Sequence, residues 1–488
     1  MIPLWTDRLF LEVIKMKLKN LIECRTEIAD VEITGITCDS RAVKSGYIFV
    51  CIKGFTSDGH KFAESALEKG AAVIVAEYDL GLSNQIIVND THAAYADICA
   101  KWFGNPADSL KLIGVTGTNG KTSVTYMLKK ILEAAGNKVG LIGTIQNMIC
   151  DEIIPTANTT PNAYDLNSLF ALMKAKGCTY AIMEVSSHAL DQCRVYNLDF
   201  EVAMFTNLTQ DHLDYHKTME NYLEAKKKLF KMCKVAVINS DDEYAERIIE
   251  GLDCKVVTYS AGNDSTYSAK AVKYKPTGVD YEFVSDTDIC HIKVNTGGKF
   301  TVYNSICAAT AAVELGLPIR LAASAIAELP GVKGRAEVVP CDRDFTIIID
   351  YAHTPDGLKN ILTTFRECEK NRLTVVFGCG GDRDKTKRPI MGSVAARYAD
   401  FVIVTSDNPR SEEPAEIIKD ILVGMDGSPT PYKVIENRVE AIKYAVETAA
   451  KDDIIVLAGK GHETYQILKD GTIHLDEREV VAEALADI

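Results

Sequence analysis

From about residue 108 onward, short apolar runs alternate with longer stretches whose apolar residues recur every three or four positions. Leu112-Ile113-Gly114-Val115 is the first run. The helix predicted after it carries Val124, Met127, Leu128, Ile131 and Leu132 on one face and stops near Gly136. Tyr180 to Val185 and Glu201 to Phe205 read as further buried strands. Such alternation predicts a largely parallel sheet covered by helices. The segment from about 255 to 300 has more β character and is expected to add antiparallel strands. Leu329-Pro330-Gly331-Val332-Lys333-Gly334 reads as a linker. Beyond it, Phe345 to Ile349, Leu373 to Phe377, Phe401 to Thr405 and Ile454 to Leu457 predict the strands of another α/β unit. Ahead of residue 108, Gly46 to Gly54 reads as a strand, Ala63 to Lys69 as a helix and Ala71 to Val75 as a buried strand, and Gly104-Asn105-Pro106 breaks the pattern. The expected organisation is three α/β domains, 1–107, 108–334 and 335–488, which agrees with a length of 488 residues.

Composition narrows the classes. Hydrophobic residues make up 47% and charged residues 25%, ordinary for a globular protein. The formal charge of −14 gives no general attraction to nucleic acid or anionic lipid, so any phosphate site must be local. The 14 cysteines contain no C-x-x-C pair and read as reduced thiols of a cytoplasmic protein. Asp7, Arg8 and Glu12 stand where a signal peptide would need an apolar run, and no stretch approaches a membrane span. Met16 would also serve as a start, so residues 1–15 read as an extension.

The chemistry begins at Thr116-Gly117-Thr118-Asn119-Gly120-Lys121-Thr122, between a predicted strand and a predicted helix. Small residues let backbone N–H groups approach phosphate oxygens at a helix N-terminus. Lys121 can neutralise the β- and γ-phosphates, and the Thr122 hydroxyl can bind Mg²⁺. Val115 stands where the usual first glycine of a phosphate loop would be, so this is a compact variant. Glu184 ends the next strand, and Asp211-His212-Leu213-Asp214-Tyr215-His216 follows another. Ligands of open α/β sheets sit at those strand ends. Glu184 is a candidate Mg²⁺ ligand and His212 a less usual one; the alternatives are a solvated strand end and a His212/His216 zinc pair. Lys226 falls on the apolar face formed by Met219, Tyr222, Leu223, Leu229 and Phe230. A lysine facing inward tends to lose its proton and can then react with CO₂, whereas one at the edge of the face would simply snorkel.

Together these motifs resemble the Mur ligases. The matching pieces are Gly117 to Thr122, Glu184 to His188, Thr206-Asn207-Leu208, Asp211 to His216, Tyr222 to Lys226, Gly334-Arg335 and Asp350-Tyr351-Ala352-His353. The resemblance implies a small N-terminal UDP-binding domain, a central P-loop ATPase domain with a parallel sheet, and a C-terminal Rossmann-like domain. It implies that Cys38, Ser40, Phe55, Thr56, Ser57, Asn158, Thr159, Thr160, Ser186, Gln192 and Arg194 contact UDP-N-acetylmuramoyl-L-alanyl-D-glutamate. It also implies that Asn304, Arg335 and Asp350 hold adenine and ribose, and that Lys226 is carbamylated. Asp407-Asn408-Pro409-Arg410 is similar to the signature of members that add meso-diaminopimelate, with Arg388, Gly459 and Glu463 as the rest of that pocket. An arginine fork suits the distal carboxylate that L-lysine lacks; an incidental arginine on a surface turn is the plain alternative. One departure is Cys307, where the family often has a second asparagine after Asn304.

The implied reaction uses ATP and Mg²⁺. ATP phosphorylates the D-glutamyl γ-carboxylate, and the amine of diaminopimelate attacks the acyl phosphate. Lys121, Glu184, His212 and Lys226 are the expected catalytic group, with Thr122, Glu184, His212 and carbamylated Lys226 at the metal. A cytoplasmic monomer acting on small molecules is expected, without nucleic acid or membrane insertion. The rivals are an L-lysine-adding ligase, a folylpolyglutamate-synthase-like ligase and a nucleotide-dependent switch.

Overall fold

The computed structural model describes residues 15–54, 57–367 and 371–488. Residues 1–14 of the expected extension 1–15, and the expected ligands Phe55 and Thr56, lie outside that set. Three parallel-stranded sheets organise the chain. The first has Gly35–Thr37, Tyr47–Val50, Val73–Ala76 and Gln85–Ile87, all parallel. The helix Thr91–Trp102 covers it, capped by Asp90, whose carboxylate accepts from the His92 and Ala93 N–H groups.

The central sheet has eleven strands. Lys111–Thr116 lies between Tyr180–Glu184 and Phe200–Phe205, both parallel to it. The chain first builds outward on one side through Val139–Ile142 and then crosses to the other, so a topological switch point falls at the end of Lys111–Thr116. Helices Lys121–Ala134 and Lys299–Glu314 bury their apolar residues on one face of the sheet. Helices Ala163–Ala175 and Met219–Lys227 cover the other. The β-rich tail is antiparallel from Tyr267–Lys275 onward. Lys255–Ser260, within the expected antiparallel segment, instead pairs parallel with Cys233–Asn239.

The third sheet orders Glu337–Val339, Thr346–Asp350, Ile454–Ala458, Leu373–Phe377, Phe401–Val404 and Tyr432–Val434, parallel except for its first strand. The four inner strands are apolar on both faces because helices cover both. Among the described residues no helix is long and apolar enough to cross a membrane.

Candidate active site

The phosphate loop joins the strand Lys111–Thr116 to the helix Lys121–Ala134. That helix starts at Gly120 without a side-chain cap, so its first N–H groups are left for an anion. Two glycines are required by space as well as by conformation. Gly117 has φ 149° and a Cβ there would come within 1.9 Å of Thr206 Oγ1; Gly120 has φ 87° and a Cβ would come within 2.3 Å of Asn304 Oδ1. Thr206 and Asn207 brace the loop. The Thr206 hydroxyl donates to the Asn119 carbonyl at 2.6 Å, and Asn207 Oδ1 accepts from Asn119 N–H at 2.9 Å. Thr116 is fully buried, and its hydroxyl has no partner among the described residues.

Lys121 Nζ donates to the Gly117 and Thr118 carbonyls at 2.9 and 2.8 Å. Lys226 is only 1% exposed, and its Nζ donates to the same Gly117 carbonyl at 2.9 Å. The two nitrogens are therefore no farther apart than twice that distance. Two positive charges so placed would repel by about 3 kcal/mol at an effective dielectric of about 20. Burial, and then Lys121, push the Lys226 amine well below the usual lysine range. Burial also lowers Lys121. Glu184 and Asp211 support the charge of Lys121, whereas Lys226 has only Asp211, so the geometry favours one charged amine and one neutral one, with Lys226 the neutral member.

Glu184, 1% exposed, accepts from the Thr122 hydroxyl at 2.9 Å and from Thr144 N–H and Oγ1, each at 2.9 Å. Strand register places it beside Val115, level with the loop. Thr122 and Glu184 thus present adjoining oxygen donors, which suit Mg²⁺. Among the described residues no three His, Cys, Asp or Glu side chains converge as a metal cage, so a zinc pair at His212 and His216 has no third ligand. His212 has a left-handed backbone (φ 53°), and its ring packs on His188 at 4.8 Å and Tyr222 at 6.1 Å. His216 points away, to Ser187 Oγ at 2.9 Å. Burial, reinforced by His212 and His216, lowers His188 to about 4.

Arg335, just after the linker, reaches the phosphate loop: its Nη2 donates to Thr122 Oγ1 at 3.3 Å. Its buried Nε has no partner among the described residues, and Arg335 and Asn304 line a small cavity beside Ser123, Phe300 and Thr301. Asp350 lies within electrostatic reach of Arg335. Its carboxylate accepts from the Ala336 and Ala352 N–H groups at 2.7 and 2.8 Å. Cys307 is buried in the core, its thiol against the Tyr259 hydroxyl.

A second cluster lies beyond Glu184. The Thr160 hydroxyl donates to the Glu184 carbonyl at 2.8 Å and accepts from Ser186 N–H at 3.0 Å. Arg194 donates to the Thr160 carbonyl at 2.7 Å and to Gln192 Oε1 at 2.7 Å. Thr159 shares a hydrogen bond with Thr144, and the Asn158 carbonyl accepts from Thr156. Cys38 stands against Tyr95, while Ser40 and Ser57 contribute carbonyls to Lys69 and Gly54.

In the third unit Arg388 is misassigned by the sequence reading. It is 1% exposed and both ends of its fork are taken, by Glu412 at 2.9 and 3.0 Å and by Asp420 at 2.9 Å. It braces the loop after Leu373–Phe377 rather than facing a ligand. Arg383, on that loop, instead approaches Arg410. A Cβ at Gly380 would meet Arg410 Nη1 at 2.9 Å and Arg383 Cγ at 3.8 Å. The signal missed was a second arginine in the same Gly-rich loop, closer to Gly380. Arg410 has φ 54°, and its Nη1 donates to the Gly381 carbonyl at 2.8 Å. Asp407 meets Gly459 so closely that a Cβ there would lie 2.6 Å from Asp407 Oδ2. Pro409 is buried behind Gly381. Asn408 Nδ2 donates to Glu463 Oε2 at 2.9 Å.

A phosphate loop at the switch point of a central sheet, flanked by a unit before it and one after it, defines a three-part ATP-site α/β protein. The Mur ligase middle domain matches residues 115–312, the Mur ligase glutamate ligase domain residues 334–461, and the Mur ligase family catalytic domain residues 32–101. The UDP-N-acetylmuramoyl-L-alanyl-D-glutamate–2,6-diaminopimelate ligase of Caldanaerobacter subterraneus subsp. tengcongensis is 51% identical, covering 94% of this chain and 96% of that protein. A Clostridium acetobutylicum protein of the same name, numbered 1, is 47% identical over 97% of this chain and 100% of its own. A solved structure of such a ligase aligns with a TM-score of 0.73 at 35% identity, over 97% and 99% of the chains. The chain belongs to the Mur ligase family.

Proposed function

We propose that this protein is the ATP-dependent amide ligase that adds meso-diaminopimelate to UDP-N-acetylmuramoyl-L-alanyl-D-glutamate, a step of peptidoglycan precursor synthesis, and that it works in the cytoplasm as a monomer. Its relatives' names support the reaction. The observation that carries the choice of amino acid is the pairing of Arg410 with Glu463 around Asn408. The Arg410 guanidinium donates to the Asn408 carbonyl at 3.3 Å, while Glu463 holds the Asn408 amide. A cation and an anion at one asparagine suit a distal end bearing both carboxylate and ammonium. Arg383 is the second cation of this pocket, in place of Arg388.

In this reading the first unit, to about residue 107, holds the uridine nucleotide, and Thr160, Ser186, Gln192 and Arg194 align the dipeptide. Lys121 and the N-terminus of its helix hold the phosphates of ATP, and Asn304 with Arg335 holds the nucleoside end. The neutral Lys226 amine adds to the carbon of CO₂, forming an N–C bond and releasing a proton, which leaves an anionic carbamate. Thr122, Glu184, His212 and that carbamate would hold Mg²⁺, which offsets phosphate charge when bound. The peptide γ-carboxylate attacks the γ-phosphorus, the bond from that phosphorus to the β,γ-bridging oxygen breaks, and ADP leaves behind an acyl phosphate. The incoming amine then displaces phosphate, and alignment of three substrates is the main contribution of the chain.

The test is phosphate release from ATP with the UDP-linked dipeptide, comparing meso-diaminopimelate with L-lysine. Diaminopimelate is expected to be preferred by at least about a hundredfold in kcat/KM. Equal rates would overturn the reading of Arg410.

A further inference from the structure

Lys460 is fully buried, unusual for a lysine, and nothing in the reaction above uses it. Its Nζ donates to Glu463 Oε2 at 2.9 Å and to Asn408 Oδ1 at 3.2 Å. Asn408 Oδ1 also accepts from Ile467 N–H at 2.9 Å. With two donors on its oxygen, the Asn408 amide must turn its NH₂ toward Glu463, where it meets the same Oε2. Glu463 Oε2 therefore already holds two donors, and Oε1 is the oxygen left to receive an ammonium group. The backbone helps: Glu463 N–H donates to the Lys460 carbonyl at 3.0 Å, closing the turn that carries both side chains.

We propose that Lys460 is a specificity-determining positioning residue for the amino-acid substrate, an inference that rests on the reading of this pocket given above. It acts in two ways. It locks Glu463 and Asn408 in one orientation, so that a single carboxylate oxygen faces the substrate. It also offsets most of the charge of Glu463, so the pocket is poor for a distal end that is only cationic. A distal end bearing ammonium and carboxylate together finds one oxygen of Glu463 and the Arg410 fork, whereas L-lysine brings a net positive charge toward the buried Lys460 ammonium. Discrimination between the two amino acids is thus shared by Arg410, which attracts the carboxylate, and Lys460, which disfavours the bare cation.

The experiment measures kcat and KM for meso-diaminopimelate and L-lysine, and KM for ATP and the UDP-linked dipeptide, in the full-length enzyme and in Lys460→Met and Lys460→Ala. Losing one charge-assisted bond on each partner predicts a rise of about tenfold or more in KM for diaminopimelate. The ratio of kcat/KM values, diaminopimelate over lysine, is expected to fall by about tenfold, with KM for ATP and dipeptide unchanged. Ethylammonium is expected to restore part of the loss in Lys460→Ala, which a merely structural role would not produce. Equal losses for both amino acids, or a ratio unchanged in both variants, would overturn the proposal. If Lys460→Ala fails to fold, Lys460→Met, which keeps the volume, decides the ratio. If the parent enzyme itself does not discriminate, the reading of the pocket fails; if it discriminates and the variants keep that ratio, only the role of Lys460 does.

Discussion

Lys226 and Lys121 share one carbonyl acceptor, and that arrangement fits the roles proposed for them. An ammonium on Lys226 would be buried against a like charge, a cost with no carboxylate in direct contact among the described residues to offset it. A neutral amine avoids the cost and is the nucleophile that carbamylation needs. Lys226→Ala is expected to lower turnover by about 10³-fold, and bicarbonate is not expected to restore it. The parent enzyme is expected to show a carbamate carbon resonance in labelled bicarbonate. Near-normal turnover in the variant, or no such resonance, would sink the carbamate reading. The apolar face around Lys226 was legible as a period in the sequence. The shared acceptor was not, because Gly117 lies 109 residues away along the chain.

Two helices of the third unit illustrate a cost carried between elements. Arg438, at the start of the helix Arg438–Glu447, meets Glu477, at the start of the helix Glu477–Ala486, at 2.7 Å, and both side chains are 0% exposed. Arg438 also donates to the Ala458 carbonyl at 2.8 Å, just before Gly459 and Lys460. The pair therefore supports the strand end next to the proposed amino-acid pocket. Removing one partner leaves the other charged and buried. Arg438→Met is expected to destabilise by ~3–5 kcal/mol, and the double variant Arg438→Met, Glu477→Leu to recover most of it. Thermal and denaturant unfolding of the three proteins check this; a double variant no better than the single would refute it. Strand positions were readable from apolar runs, since Leu373–Phe377 appears as predicted and most others shift by a residue or two at their ends. The pairing of Arg438 with Glu477 was not, because exposed and buried charges look alike in a sequence.

At the scale of the molecule, a chain of hydrogen bonds runs from the phosphate loop into the third unit. Thr118 Oγ1 accepts from Thr209 N–H at 3.0 Å, and the Thr209 hydroxyl donates to Asp356 Oδ2 at 3.0 Å, at the start of the helix Pro355–Arg366. Arg335 makes a second bridge, to Thr122. The phosphate loop and the third unit, which carries the proposed amino-acid pocket, are therefore joined by hydrogen bonds, as a reaction with substrates on different units requires. Thr209→Val and Asp356→Ala are each expected to lower kcat/KM for the amino acid by about tenfold. The double variant is expected to be no worse than either single one, because both cut one bond. Additive losses in that cycle would show that the bridge is not the shared cause.

The sequence by itself determined the three α/β units, the phosphate loop and the family, and it named the residues proposed for the site. Those features are local: an apolar period, a glycine where a Cβ cannot fit, a motif of adjacent residues. Tertiary structure alone decided which lysine is forced toward neutrality, that Arg388 is locked by Glu412 and Asp420 while Arg383 approaches Arg410, and that Lys460 backs Glu463. Those outcomes depend on burial and on partners brought together by crossovers between strands. A charged side chain's role is set by its desolvation and its neighbours, and neither is encoded in its immediate sequence.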